Sequence, residues 1–271
     1  MGKENGQGVQ ADPTVFADPI SADVYTVEEE VTLTSVSSRY VLGRFPGPRR
    51  VEGEVEVLLG PDRATLALLE MLLGRLEVTD LAGYRRYALT PIEVGDEPVT
   101  YTLELAMDGQ ARTVVGCLCD SASIEVRPDE PVVLRASVLG MEERAGTLRT
   151  PTFARQHPVS PHGASCLLGG VAVELEELTL KVDNAFSKDH HTIGSRTLKA
   201  HEPGQLSVSG SFSAKFRDRS HLDRFLSSEE ASLVVRFSAG YVDGVNERYL
   251  LIELPRIAYS SWTVSYTHLT L

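Results

Sequence analysis

Residues 51–59 read Val-Glu-Gly-Glu-Val-Glu-Val-Leu-Leu, with Val51, Gly53, Val55, Val57 and Leu59 alternating against Glu52, Glu54 and Glu56. Alternation with period two places every apolar side chain on one face and every carboxylate on the other, the signature of a strand with one buried and one wet face. The same design returns at 208–216 as Val-Ser-Gly-Ser-Phe-Ser-Ala-Lys-Phe. Setting Gly53 against Gly210 puts Val55 opposite Phe212, Val57 opposite Ala214 and Leu59 opposite Phe216.

Each strand leads into a short helical pattern. The first starts at Asp62, a good N-cap, and runs through Leu66, Leu69 and Leu73 to a C-terminal stop at Gly74. The second starts at Ser220, with Leu222, Phe225 and Leu226 on one side and Asp223 as a weak capping box. Asp62-Arg63 matches Asp218-Arg219, and upstream Val31-Thr-Leu-Thr and Gly43-Arg44 find rough counterparts in Leu178-Thr-Leu-Lys and Gly194-Ser-Arg196. The matched order argues for two related β-domains.

Further strands are expected at Ile124–Val126, at Val132–Leu139 after the turn Pro128-Asp-Glu-Pro131, and within Val171–Val182, Leu233–Phe237 and Tyr249–Leu254. The fold class is therefore mainly β: two related sandwich or barrel domains, each with a short flanking α-helix. Residues 1–25, polar and aperiodic, read as a flexible or extended arm. Residues 26–145 form the first domain, 146–164 a Pro-, Thr- and His-rich linker, and 165–263 the second domain. Residues 264–271, Val-Ser-Tyr-Thr-His-Leu-Thr-Leu, are similar to translated sequencing-adapter read-through. They read as a non-native tail, which leaves the second domain short of its final strand.

With 24% charged and 42% hydrophobic residues, the chain has the composition of a soluble globular protein, and no apolar run reaches the length of a membrane helix. A net charge of −12 argues against tight binding to nucleic acid through its phosphates, since such binding needs clustered cations. Three cysteines make a poor disulfide framework. Cys117-x-Cys119 lacks the second pair of a structural zinc site, and its side chains share one strand face, as small core residues would.

Catalytic and metal-binding patterns are missing from the sequence. Adjacent His190 and His191 point opposite ways on an extended chain, which suits them poorly to one metal ion, and no H-E-x-x-H occurs. His157, His162, His201 and His221 are scattered, with no carboxylate at ligand spacing. Ser207, Ser209, Ser211 and Ser213 read as one solvated strand face, and Cys166 has no neighbour that would activate it. No cofactor, metal or catalytic residue is expected.

Several stretches resemble the phage tail tube proteins of long-tailed phages, in their two-domain form. They are Val51–Leu59 with the helix ending at Gly74; Gly116–Ile124 with Asp129–Gly140; Glu177–Asn184 leading to Gly194-Ser-Arg196 and Leu206–Phe212; and Leu251-Ile-Glu-Leu-Pro255-Arg256. The resemblance implies a structural virion protein, a major tail tube subunit assembled in the host cytoplasm. Its sheets would join into a continuous inner barrel, its rings would stack, and DNA would pass through the lumen. The ring would hold three chains with pseudo-sixfold symmetry, or six. The tape-measure protein and the tail terminator or baseplate proteins are the implied partners. The loop Asn184–Pro203, with Asp189, His190, His191, Arg196 and Lys199, is the candidate arm toward the next ring or subunit; an ordinary exposed hairpin loop is the alternative. A non-catalytic β-sandwich binding or adhesin module on a virion is the competing reading of the whole chain.

Overall fold

A computed structural model describes the chain except residues 35–39, 82, 94, 108, 154–156, 215–228, 243–245 and 262–271. The strands are β1 (Gly2–Lys3), β2 (Ser21–Leu33), β3 (Gly43–Leu58), β4 (Gly74–Leu81), β5 (Tyr84–Pro91), β6 (Tyr101–Met107), β7 (Gln110–Val126), β8 (Val133–Gly140) and β9 (Glu142–Ala145). In the second half they are β10 (Ala164–Leu168), β11 (Val171–Val173), β12 (Leu175–Asp183), β13 (Ser207–Ala214), β14 (Ala231–Tyr241) and β15 (Glu247–Ile257). Helix α1 spans Arg63–Leu73. The protein is mainly β, as the alternation requires.

One sheet organises the molecule. Its strands run β13-β12-β7-β8-β3-β2, every neighbouring pair antiparallel. One face carries Val55, Val57, Ala122, Ile124, Leu134, Ala136, Leu178 and Leu180, all part of or packed against a single core. A second layer covers that face: α1, the group β1-β6-β7-β9, and the four-stranded sheet β11-β10-β14-β15. Core residues Val51, Met71, Leu103, Leu180, Val235 and Phe237 come from all of these elements, so both halves of the chain share one core and one sheet.

Strand β7 serves both layers because it turns at Gly116. Its first half pairs with β6 and β9, and from Leu118 it pairs with β8 and then β12. Gly116 adopts φ +68°, in the left-handed region that favours glycine, and a Cβ there would stand 2.4 Å from the Met141 sulfur. The corner lies inside the strand.

Helix α1 begins where Asp62 accepts hydrogen bonds from the backbone N–H groups of Ala64 and Thr65, each at 2.9 Å, and it ends at Gly74 with φ +87°. The expected second helix, with Ser220, Leu222, Asp223, Phe225 and Leu226, lies outside the described residues, as do Asp218 and the tail 264–271.

The N-terminal residues are extended and held. Gly2 and Lys3 pair with β6, and the Met1 amine donates to the Val15 carbonyl at 2.7 Å. Glu4 is buried, accepting from the Thr100 and Thr102 hydroxyls and from the N–H groups of Gly8 and Gly116. Part of the span 146–164 is also packed: Val159 is buried, and its N–H donates to the Leu59 carbonyl. The hairpin β4–β5, unmarked in the sequence reading, stands out from the end of α1 with Val78, Tyr84 and Tyr87 about half exposed.

Candidate assembly surfaces

The organising sheet is open at both sides. Among the described residues, β2 pairs only with β3, and β13 only with β12. Backbone N–H and C=O groups along such margins are a ready template for another strand. Along β2, Ser21, Ala22, Asp23, Tyr25 and Thr26 are exposed, and Val24 alone points into the core over this stretch. Beyond the reach of β8, which ends opposite Val51, β2 and β3 continue as a two-stranded arm on which Val31, Leu33 and Phe45 are exposed. Glu28–Arg49, Glu29–Arg50 and Glu30–Arg44 pairs lace its two strands together.

Apart from an apolar end at Leu118 and Leu139, the face of the sheet away from the core is mainly polar. It presents Ser207, Ser209, Ser211, Thr179, Lys181, Ser121, Ser123, Glu125, Arg135, Ser137, Glu54, Glu56 and Asp23 in adjoining register. Arg135 bridges Glu56 and Glu125, and its guanidinium holds the Glu56 carboxyl below the usual carboxylate range. Ser207–Ser213 form the wet strand face that their alternation suggested.

One end of this face is covered by the segment after β12. Phe186 packs on Leu118 and Leu139 in a small second cluster, and its ring meets the His201 ring edge-on at 6.3 Å. Asn184 fixes the start of the segment, donating from Nδ2 to the Leu72 carbonyl at 2.8 Å and the Cys119 carbonyl at 3.3 Å. Its own carbonyl accepts from Gly204 at the far end. Between these points Ser187 N–H reaches the Glu202 carbonyl, and Lys199 N–H reaches the His190 carbonyl.

The other expected residues of this loop are distributed around that frame. Arg196 donates to the Gly47 carbonyl and to Glu28, while its carbonyl accepts from Arg49 N–H at 2.6 Å; Thr197 bridges Arg49 in parallel. His190 Nδ1 lies 2.5 Å from Glu202. Both ring nitrogens of His191 are shielded from solvent. Asp189 and Lys199 are exposed. Only the tip projects: Ile193 is fully exposed, within a turn closed by Ser195 N–H on the Thr192 carbonyl. The segment is thus clasped to its own chain along its length, and any reach toward a neighbour falls to the tip and the exposed side chains.

The residues that fasten this clasp carry no local signal in the sequence. His201 Nε2 donates to the Gly116 carbonyl at 2.6 Å, and burial pushes its pKa below the ordinary value. Leu198 is buried, and Lys188 stands between Glu52 and Asp120. None of these positions belongs to a periodic pattern, so nothing in one sequence marks them.

The glycines and the proline of the matched stretches have packing roles. Gly53 and Gly210 lie opposite Val24 and Leu180, where each neighbouring backbone comes too close for a Cβ. Pro255 sits in the outer strand of the four-stranded sheet, inside an irregularity between Leu254 and Ile257 where a missing N–H is tolerated. Cys117, Cys119 and Cys166 are buried free thiols, raised in pKa by burial, as suits inert core residues. Among the described residues no three His, Cys, Asp or Glu side chains gather as metal ligands do.

No curated protein matches the chain. A family model described as phage tail tube protein matches residues 1–250. A match over so much of the sequence, on a β-sandwich with open sheet margins, places it: this chain belongs to the phage tail tube protein family, and is a structural component of the virion tail.

Proposed function

We propose that this chain is the major tail tube subunit, self-assembling into stacked rings that form the DNA-conducting tube around a tape-measure protein. The observation that carries this reading is the sheet β13-β12-β7-β8-β3-β2, with both margins open among the described residues. Joining an open margin of each copy to a strand of the next, head to tail, generates closed rings. The mainly polar face of the sheet, rich in hydroxyls and carrying Glu54, Glu56, Glu125 and Asp23, would then line the lumen. Carboxylates and hydroxyls there repel phosphates or leave them to water, so DNA slides without sticking.

In this reading residues 26–145 and 165–263 are two related tube-type units, and a ring of three chains has pseudo-sixfold symmetry. The tip at Ile193 and the arm of β2 and β3, both exposed, would be the parts that touch the next ring. Tail terminator and baseplate proteins would close the tube's ends, and assembly would take place in the host cytoplasm.

Electron microscopy of concentrated purified protein tests the proposal. Rings or tubes with an open lumen are expected. A protein that sediments as a monomer at every concentration would sink it.

A further inference from the structure

The first and second halves repeat one order of strand pairing. In the first, β1 pairs with β6, β2 with β3, and β6 with β7. In the second, β10 pairs with β14, β12 with β13, and β14 with β15. The hairpins β2–β3 and β12–β13 coincide in detail. A Cβ on Gly53 would meet the Asp23 carbonyl at 2.3 Å, and one on Gly210 the Thr179 carbonyl at 2.5 Å. Val24 opposite Gly53 therefore corresponds to Leu180 opposite Gly210, and Ala22 to Leu178. This places the counterpart of Leu178 earlier in the chain than Val31, the match suggested by sequence.

Strands β7 and β15 correspond as closely. Each follows an Asp-Gly pair in the sequence, Asp108-Gly109 and Asp243-Gly244. Aligned there, Cys117, Cys119, Ala122 and Ile124 fall on Ile252, Leu254, Ile257 and Tyr259, and every one of these residues belongs to or packs on the same core. Both strands are irregular between the second and third of these positions, at Cys119/Ser121 and opposite Ala231/Leu233.

These equivalences say what should lie beyond β2. Strand β2 stands where β12 stands, and the outer side of β12 is occupied by Ser121–Val126 of β7. The counterpart of Ser121–Val126 is Arg256–Ser261. Only its first residues belong to a strand, since β15 ends at Ile257. We infer that the outer edge of β2 is completed by Arg256–Ser261 of a second copy of this chain, in the register in which β12 meets β7. The inference rests on the tube reading and deepens it by naming the two strands and their alignment.

Carried across, Thr179↔Glu125, Leu180↔Ile124 and Lys181↔Ser123 become Asp23↔Ser260, Val24↔Tyr259 and Tyr25↔Ala258. The junction seen inside the chain is the pattern for the junction between chains. In the single chain the Arg112 guanidinium donates to the Val24 carbonyl, a polar cover of the kind that shields a free edge from indiscriminate pairing.

The test is a disulfide placed by this register. Residues directly opposite in an antiparallel pair have Cα atoms about 4.5–5.5 Å apart, within disulfide reach. The full chain carrying Asp23→Cys and Ser260→Cys is mildly oxidised after assembly and run on denaturing gels without reductant. Covalent dimers and larger species are expected at about tenfold the yield of either single variant. Asp23→Cys with Ala258→Cys, two residues out of register, should give no more than the single variants. The native cysteines are buried, so their background is low. Rings in the microscope with no excess cross-linking at Asp23/Ser260 would overturn this junction and leave the tube reading standing. Absence of rings in the same samples, for the unmodified chain as well, would remove both.

Discussion

Glu4 and His201 hold Gly116 from both sides: the carboxylate accepts from its N–H at 2.9 Å, and the imidazole donates to its carbonyl at 2.6 Å. The N-terminal segment and the clasp after β12 thereby meet at the corner of β7. The His201 backbone N–H also donates to the Gln7 side chain, strengthening the link.

This arrangement makes stability depend on pH. Burial lowers the His201 pKa, against weaker opposing influences from the Gly116 carbonyl, Glu4 and Asp120. The folded state therefore favours neutral imidazole, while the unfolded chain takes up a proton near pH 6.5. Stability is full above that pH and falls as pH drops toward the folded-state pKa, by up to about 1.4 kcal/mol per pH unit. Thermal unfolding from pH 7.5 to 5 should show the loss. His201→Gln, which keeps a donor for Gly116, should flatten that part of the profile.

Phe186→Ala should loosen the clasp without dismantling the main core. The ring is buried against Leu118, Leu139 and His201, apart from the principal cluster. Truncating a buried aromatic costs about 3–5 kcal/mol, with the lower end expected for so small a cluster. Hydrogen exchange should accelerate over residues 186–204 and stay slow in β8 and β14.

A methyl group at Gly53 should be far more damaging than one at Gly210. Both would collide with a neighbouring carbonyl, but Gly53 is buried between β2 and β8 whereas Gly210 lies on an exposed marginal strand that can shift. Gly53→Ala should cost about 2–3 kcal/mol and Gly210→Ala about 1 kcal/mol or less, measured by denaturant unfolding.

Asp62→Ala removes the acceptor for two N–H groups at the start of α1. A loss of about 1 kcal/mol is expected. Asp62→Asn, which can still cap, should retain most of the stability.

What the sequence revealed follows from periodicity and capping. The alternation at 51–59, the Asp62 cap and the Gly74 stop are local signals that need no distant partner, and the structure has each where expected. The hairpin β4–β5 was illegible because Gly74-Arg-Leu-Glu-Val-Thr-Asp-Leu continues a helix-like pattern, and its strands are stabilised chiefly by each other. The sequence leaves this stretch open between an arm and an exposed hairpin loop, and hides the clasp, because His201, Phe186 and Leu198 are single buried residues in an aperiodic stretch. Their partners Glu4, Gly116 and Leu139 lie far away in the chain, and only folding brings them together. The breadth of the shared sheet was hidden for the same reason, since nothing local to β12 announces that β7 will be its neighbour.

Strand β12 meets β7 antiparallel, each unit offering one kind of margin and receiving another. Two units joined in this way are related by turning about an axis, with no end-over-end flip between them. Copies added by the same rule all point in one direction, so the top of such a ring differs chemically from its bottom. A cylinder built from it has a front and a back written into every subunit.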